Sequence, residues 1–161
     1  MSKGDKTKGG KNSPQTANKK AFFNYEILEK VEAGIVLTGT EVKSLRDGGG
    51  DLDGAYARIT GGECWLIAAK IAPYAQASIN NHPQLRDRKL LLHSRQIVKL
   101  ISKSEQAGCT LIPLRIFFSE RGFAKVEIAV ARGKRQFDKR DAIAKREQKK
   151  EIDRSTKKYR R

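Results

Sequence analysis

Few side chains in this sequence have the types and spacing that catalysis or metal binding requires. The two histidines, His82 and His93, lie 11 residues apart, and neither Cys64 nor Cys109 has a partner at the spacing of a zinc site. The segment Asp51–Gly54 begins like a calcium-binding loop but lacks the carboxylate required at position 12. Phosphate-binding loops and nucleophile elbows are also missing. We therefore expect no enzymatic activity, no metal and no cofactor.

A cluster of cations and aromatics has the chemistry of RNA recognition instead. Lys19 and Lys20 lie within a few residues of Phe22, Phe23 and Tyr25. Cations beside aromatic rings favour phosphate contacts combined with base stacking. Aromatics that open a first strand are more often buried in a core, so we expect about one of the three to face RNA.

A second basic cluster leads directly into an apolar run. The residues Arg86-Asp87-Arg88-Lys89 are followed by three leucines. Charges anchored by a buried run lose little entropy when they bind phosphate. The same pattern suits a solvated loop before a core segment, and the sequence leaves both interpretations open.

Excess positive charge is concentrated at the two ends of the chain. The 161 residues carry 34 Lys and Arg against 18 Asp and Glu, a net charge of +16. Residues 1–20 contribute +5 and residues 132–161 contribute +9, whereas residues 21–131 contribute +2. Such an excess indicates a polyanionic partner, because Lys and Arg release counterions when they dock on phosphates. Without a signal peptide or an apolar run near ~20 residues, we expect a cytoplasmic protein with no membrane partner.

Hydrophobic periodicity predicts about six strands and two short helices. Two hairpins are expected, one joining residues 25–30 to 34–38 and one joining 55–60 to 63–71. Thr40 and Ser94 are expected to cap the helices. Each of three strands is expected to turn alternate residues toward one face, and the predicted sets are Trp65, Ile67, Ala69 and Ile71; Ile112, Leu114, Ile116 and Phe118; and Val126, Ile128 and Val130.

These elements predict a mainly β fold, a closed antiparallel β-barrel of OB type with short flanking helices. Closure is favoured because it removes exposed strand edges, with an open half-sandwich as the alternative. The barrel is assigned to residues 18–132. Residues 1–17 contain almost nothing apolar, so they are expected to form a disordered basic arm.

Residues 133–161 form a basic C-terminal tail. The segment from Lys134 onward contains no Gly or Pro and has several ion pairs at helical spacing. Ile143 and Ile152 are nine residues apart, on opposite sides of a helix, so no apolar stripe exists to dock it on the barrel. We expect a tail that becomes helical only when phosphates neutralise its charge.

Several segments carry a family resemblance. The run EAGIVLTGTEVKSLR at 32–46 resembles the signature of the SsrA-binding proteins, the tmRNA-binding SmpB family of bacteria. Further segments that resemble those of the family occur along nearly the whole chain, namely NKKA at 18–21, IAPY at 71–74, RDRKLLL at 86–92, GCTLIPL at 108–114 and GKRQFDKR at 133–140.

The resemblance implies an adaptor of trans-translation. Members of this family bind the tRNA-like domain of tmRNA through an OB-type barrel. Together with elongation factor Tu, they bring tmRNA to stalled ribosomes, where the C-terminal tail enters the decoding site and the empty mRNA channel. The implied protein is a non-enzymatic RNA-binding monomer of the cytoplasm.

The resemblance also implies which residues contact RNA. The tmRNA-binding residues would be Asn18, Lys19, Lys20, Tyr25, Glu32, Arg86, Arg88, Lys89 and Leu91. The residues at the ribosomal decoding site would be Gly133, Lys134, Arg135, Phe137, Asp138, Lys139 and Arg140. Phe137 stands where other members have His or Tyr, which keeps base stacking and removes hydrogen bonding.

Two rival functions predict different behaviour. A general OB-fold RNA binder or ribosomal protein would bind any structured RNA, with a steep salt dependence. A small nuclease would cleave RNA in the presence of a divalent metal. The adaptor would bind the tRNA-like domain selectively through Glu32.

Overall fold

The computed structural model describes residues 16–77, 79–135, 140, 143 and 147–152 of the chain. Its elements are, in chain order, β1 (Thr16–Ala17), α1 (Ala21–Asn24), β2 (Tyr25–Ile35), α2 (Gly39–Arg46), β3 (Gly50–Asp51), β4 (Tyr56–Thr60), β5 (Glu63–Ile67), β6 (Lys70–Ile71), β7 (Arg88–Leu91), α3 (Ser94–Ser104), β8 (Cys109–Phe118) and β9 (Ala124–Gly133).

Six antiparallel strands close into a ring. The order is β8-β4-β5-β7-β2-β9, and β9 pairs back with β8. β1 pairs with the far end of β8, and β3 and β6 form a separate two-stranded pair. The closed barrel predicted from the sequence is confirmed, and the open half-sandwich is wrong.

β2 is one long strand where the sequence predicted a hairpin. Its 11 residues pair with β9 along nearly their whole length, and β7 pairs with the end of β2. The expected turn, Val31-Glu32-Ala33, contains no residue that favours a turn, and Val31 and Ala33 face the barrel interior. The pairing register shifts once, between Ile27 and Glu29, which leaves Leu28 as a bulge.

The barrel strands divide their apolar residues between two clusters. The main cluster fills the barrel, and a smaller one lies outside it beneath α1. In β8 a register shift between Pro113 and Arg115 reverses the face to which alternate residues point before and after it. Ile112 and Leu114 consequently join the outer cluster with Ala21, whereas Ile116 and Phe118 enter the barrel. The prediction that all four share one face is therefore wrong, whereas the one for β9 is confirmed.

β5 also differs from the predicted pattern. Cys64 and Leu66 are fully buried in the barrel, so Trp65 and Ile67 point outward. Ala68 has a positive φ of 58° and interrupts the alternation, which returns Ala69 and Ile71 to the interior. The four residues predicted to share one face are thus split.

The two helices predicted from the sequence, α2 and α3, each have an N-cap one or two residues before the residue predicted to cap them. Thr38 is the N-cap of α2, and its backbone N–H donates to Oε2 of Glu41 at 2.8 Å. His93 is the N-cap of α3, and its N–H donates to Oε1 of Gln96 at 3.0 Å. In both cases the acceptor lies three residues further on, as in a capping box.

The ends of the chain are described in part. The last two residues of the predicted N-terminal arm, Thr16 and Ala17, are ordered as β1, so the disordered assignment was wrong for them. Residues 1–15 lie outside the described residues. In the tail, Arg140, Ile143 and residues 147–152 are helical. Among the helices of the described part, none has the length and apolar character needed to cross a membrane.

Candidate nucleic-acid interface

A buried ionic cluster holds the second basic segment in place. Arg88 has a fully buried side chain, and its Nε donates to Oε1 of Glu41 at 2.9 Å. Its two other nitrogens donate to the carbonyls of Ala69, Arg86 and Gln84. A guanidinium with no solvent exposure and these partners is not available to phosphate. The expectation that Arg88 contacts tmRNA phosphates is therefore corrected, because burial turns it into a structural cation.

Glu41 is the buried counterion of this cluster. Its carboxylate also accepts bonds from Nε of Arg86 at 3.2 Å and Nη2 of Arg86 at 2.7 Å. Burial by itself would raise the pKa of Glu41, but hydrogen bonds from Arg86 and the Thr38 amide, with the charges of Arg88 and Arg86, hold that pKa below its ordinary value. The side chain of Arg86 is about one-third exposed, so one edge remains open to a ligand.

The sequence contained a signal for Glu41 that the prediction missed. Thr38 and Glu41 have the spacing of a capping box, which fixes the start of α2 and points the Glu41 carboxylate back to the backbone N–H of Thr38. A sequence pattern does not show that two arginines from a distant loop and strand, Arg86 and Arg88, converge on it.

Three of the expected tmRNA-binding residues meet at one cavity. The cavity has a volume of about 620 Å³ and lies between β2, β7 and the start of α3. Glu32, Lys89 and Leu91 all line it. Leu91 is 55% exposed, so its side chain is open to a ligand in the cavity.

Charged residues of opposite sign line the cavity. Oε2 of Glu32 lies 3.6 Å from Nζ of Lys125, and Lys89 donates to Glu63. The Glu32 side chain is about half exposed, so its carboxylate also remains open to hydrogen-bond donors. Lys125 was not predicted from the sequence; it comes from β9, and only the pairing of Gly34 with Lys125 brings it here.

Gly34 and Leu91 pack closely against each other where they line the cavity. A Cβ added to Gly34 would lie 3.2 Å from Cβ and 3.4 Å from Cδ1 of Leu91. Leu91 pairs directly with Gly34 across β2 and β7. The missing side chain at position 34 therefore leaves room for the side chain of Leu91.

The remaining residues expected to bind tmRNA lie around α1. Asn18, Lys20 and Tyr25 line a cavity of about 320 Å³, and Lys19 lies at a neighbouring one of about 280 Å³. Lys19 and Lys20 are exposed. Lys20 forms an ion pair with Asp53 at 2.5 Å, and this hydrogen bond raises the pKa of Lys20.

Asn18 uses its amide group within the protein. Its Nδ2 donates to the carbonyls of Leu52 at 3.2 Å and Pro113 at 3.1 Å, and its Oδ1 accepts from the Ala21 amide at 3.1 Å. Asn18 thus fixes the start of α1 on β8. This arrangement positions Lys19 and Lys20 on the surface.

The two groups of residues lie at opposite ends of β2. Tyr25 begins the strand and Glu32 lies near its end, about 20 Å away at ~3.3 Å per residue with one residue bulged out. Tyr25 packs on the outer cluster, and the neighbours of Glu32, Val31 and Ala33, face the barrel interior. Both Tyr25 and Glu32 therefore lie on the outside of the barrel.

The tail begins at the same α1 segment. The backbone N–H of Lys134 donates to the Asn24 carbonyl at 3.0 Å, and its Nζ donates to the Phe22 carbonyl at 2.9 Å. Gly133 ends β9 opposite Tyr25. Arg135 is exposed, and Arg140 is exposed and helical. The other expected decoding-site residues, Phe137, Asp138 and Lys139, lie outside the described residues.

Comparison with known families gives one consistent match. The family model described as SmpB protein matches residues 15–158 of this chain. The SsrA-binding protein of Chlamydia muridarum is 55% identical over 136 residues, which cover 84% of this chain and 89% of the relative. The SsrA-binding protein of Syntrophobacter fumaroxidans is 50% identical over 158 residues, covering 93% of this chain and 98% of the relative.

A solved structure gives the same result. Its chain, from work described as "tmRNA-SmpB: a journey to the center of the bacterial ribosome", superposes with a TM-score of 0.67 at 50% identity. The alignment covers 81% of this chain and 94% of that chain. The similarity therefore extends over the barrel as well as the short sequence signatures.

Proposed function

This chain belongs to the SmpB protein family, and from that membership we propose that it binds the tRNA-like domain of tmRNA and brings this RNA to stalled ribosomes for trans-translation. The observation that carries the proposal is the 50% identity and TM-score of 0.67 to a chain from work on tmRNA and SmpB at the bacterial ribosome. The chain acts as an adaptor in this proposal, without a catalytic step of its own.

Two surfaces contact tmRNA in this proposal. The first is the cavity group, Glu32, Lys89 and Leu91, together with Arg86, which is partly exposed in the segment before β7. There the Glu32 carboxylate accepts hydrogen bonds from base amino groups or ribose hydroxyls, which gives selectivity that cations alone do not provide. The second is the α1 group, Lys19, Lys20 and Tyr25, positioned by Asn18. Its cations contact phosphates, so this surface supplies the salt-dependent part of the affinity.

The C-terminal tail contacts the ribosome in this proposal. Gly133, Lys134 and Arg135 form its root, and the segment from Phe137 to Arg140 enters the decoding site. Its positive charge suits the phosphate-rich path of an empty mRNA channel. Elongation factor Tu accompanies a monomer of this protein on tmRNA during delivery.

The selectivity of Glu32 is the first prediction. Glu32→Ala should weaken binding to the tRNA-like domain and leave binding to an unrelated structured RNA unchanged, because only the selective contact is removed. Filter binding of both RNAs across a salt series measures this. Glu120→Ala, which removes an exposed carboxylate from the β8–β9 turn, is the matched control. Equal affinity of the intact chain for both RNAs would instead support the general RNA binder.

A further inference from the structure

The only tryptophan of the chain, Trp65, lies on the outside of the barrel. Its strand neighbours Cys64 and Leu66 are fully buried, so alternation points the indole outward. Trp65 is half-buried, yet it belongs to neither of the apolar clusters that the described residues form. An indole outside both cores is available to a partner, and tryptophan is one of the residues enriched among those that contribute most to binding.

The residues beside Trp65 on the two neighbouring strands are cationic or aromatic, whereas Glu63 and Ile67 lie two residues away from it on the outward face of β5. Arg58 of β4 and Lys89 of β7 are its direct partners on the two neighbouring strands, and residues directly opposite each other lie on the same face of a sheet. Tyr56, two residues before Arg58, is its diagonal neighbour and is 39% exposed. We call these four residues, Tyr56, Arg58, Trp65 and Lys89, the Trp65 face.

The Trp65 face connects two cavities. Lys89 lines the 620 Å³ cavity beside Glu32, and Tyr56 lines the 320 Å³ cavity beside α1. The face therefore spans the outside of the barrel between the two groups of residues that lie at opposite ends of β2. A ligand that contacts both groups by way of β4, β5 and β7 must cross it.

The charge of the face indicates a polyanion. Arg58 is exposed and forms no ion pair with the described residues, while Lys89 is paired with Glu63 at the rim of the cavity. Two aromatic rings with a cation beside both of them match the arrangement that binds single-stranded nucleic acid, in which bases stack and phosphates meet Lys or Arg.

We propose that the Trp65 face is a stacking platform for unpaired bases of RNA. Trp65 and Tyr56 stack on the bases, and Arg58 and Lys89 contact the flanking phosphates. The inference rests on the proposed function, because it assigns a further contact of the same RNA. It adds a sequence-tolerant contact to the selective one at Glu32, since every base has a face that stacks.

Intrinsic fluorescence tests the platform directly, because all tryptophan emission of the chain comes from Trp65. The full-length chain is titrated with the tRNA-like domain transcript and, separately, with a single-stranded oligouridylate. Stacking should quench the emission in step with binding measured independently by filter retention. Unchanged emission with both RNAs, at concentrations where retention shows saturation, would overturn the proposal.

Substitutions supply the second measurement. Trp65→Leu should weaken binding of the transcript about 5- to 150-fold, the range expected for the loss of one base–aromatic stack, whereas Trp65→Phe should retain most of it. Phe123→Leu is the matched control, because Phe123 is an aromatic residue 67% exposed in the β8–β9 turn. The melting temperature of Trp65→Leu should stay within ~4 °C of the parent, since the residue serves neither core.

The outcomes separate the two proposals. If the transcript binds selectively but Trp65→Leu binds as well as the parent, the platform is wrong and the tmRNA proposal stands. If the chain binds the transcript no better than an unrelated structured RNA, but the oligouridylate quenches Trp65 and binds more weakly to Trp65→Leu, the tmRNA proposal is wrong and the platform stands.

Discussion

At the scale of single residues, burial separates side chains that look alike in the sequence. Arg86 and Arg88 are two residues apart in one basic run, and both reach Glu41. Arg88 is completely buried, whereas Arg86 keeps about a third of its side chain in solvent. Arg88 is therefore a buried structural cation, and of the two only Arg86 keeps part of its charge open to solvent.

Removing the buried carboxylate should destabilise the barrel strongly. Glu41→Gln keeps the shape of the side chain but leaves the buried guanidinium of Arg88 without its counterion, which costs about 3–5 kcal/mol in free energy of unfolding. Chemical denaturation measures this loss. Glu120→Gln, an exposed turn variant, should change the free energy by less than about 0.5 kcal/mol. The double variant Glu41→Gln/Arg88→Met should recover part of the loss; no recovery would contradict the pairing.

The same carboxylate predicts how stability depends on pH. Because the pKa of Glu41 is lowered in the folded state, its contribution is complete above its ordinary value of 4.5 and is lost as the pH falls through the folded value. Unfolding free energies measured between pH 7 and pH 3 should therefore drop on the acid side, and less steeply in Glu41→Gln. Parallel pH profiles for the two proteins would contradict this assignment.

Gly34 gives a residue-scale prediction for the cavity. Gly34→Ala introduces a Cβ 3.2 Å from Cβ of Leu91, so Leu91 must move. Since Leu91 is half exposed, the free energy of unfolding should fall by only about 1 kcal/mol, while affinity for the tRNA-like domain falls severalfold. Thermal denaturation and filter binding measure the two effects. Gly39→Ala, where the added Cβ meets nothing within 4 Å, is the matched control.

At the scale of elements, bulges and short helices decide which residues share a surface. The bulge at Leu28 divides β2 into a first part, in which Tyr25 and Ile27 pack on the outer cluster, and a second part, in which Val31 and Ala33 face the barrel interior. Tyr25 and Glu32 are an odd number of residues apart, which in a regular strand places them on opposite faces. The bulge puts both on the outside.

The link between α1 and the tail root is testable at this scale. Lys134→Met removes the bond from Nζ to the Phe22 carbonyl and keeps the length of the side chain. Hydrogen exchange of the Lys134 amide, which bonds to Asn24, should accelerate about fivefold, the equivalent of ~1 kcal/mol for an exposed hydrogen bond. Lys70→Met, on the exposed side of β6, should leave this exchange unchanged. Unaltered exchange in Lys134→Met would mean that β9 alone fixes the root.

At the scale of the whole molecule, charge and fold are separated along the chain. Residues 21–131 are almost electrically balanced, and they contain both apolar clusters. The final 30 residues hold most of the excess positive charge. A balanced folded unit and a basic extension suit two RNA contacts made by different parts of one chain.

Truncation of the tail tests this division. Because Lys134 bonds to α1, the truncation should keep residues 133–135 and remove residues 136–161. Binding of the tRNA-like domain should then stay within about tenfold of the parent, since the cavity and α1 groups are intact, while tagging on stalled ribosomes should be abolished. Filter binding and an in vitro tagging assay measure the two activities. Loss of both would place the tail in the primary RNA site.

The sequence by itself predicted the closed barrel in preference to an open half-sandwich, the family and most of the residues at the candidate surface. These follow from local patterns, because alternation, caps, turns and signature segments are written in neighbouring residues. Only the tertiary structure decided that β2 is continuous, that Arg88 is buried against Glu41 and that Lys125 reaches the cavity. Each of these depends on partners distant along the chain or on a bulge that changes the face, and alternation along one strand contains no information about either.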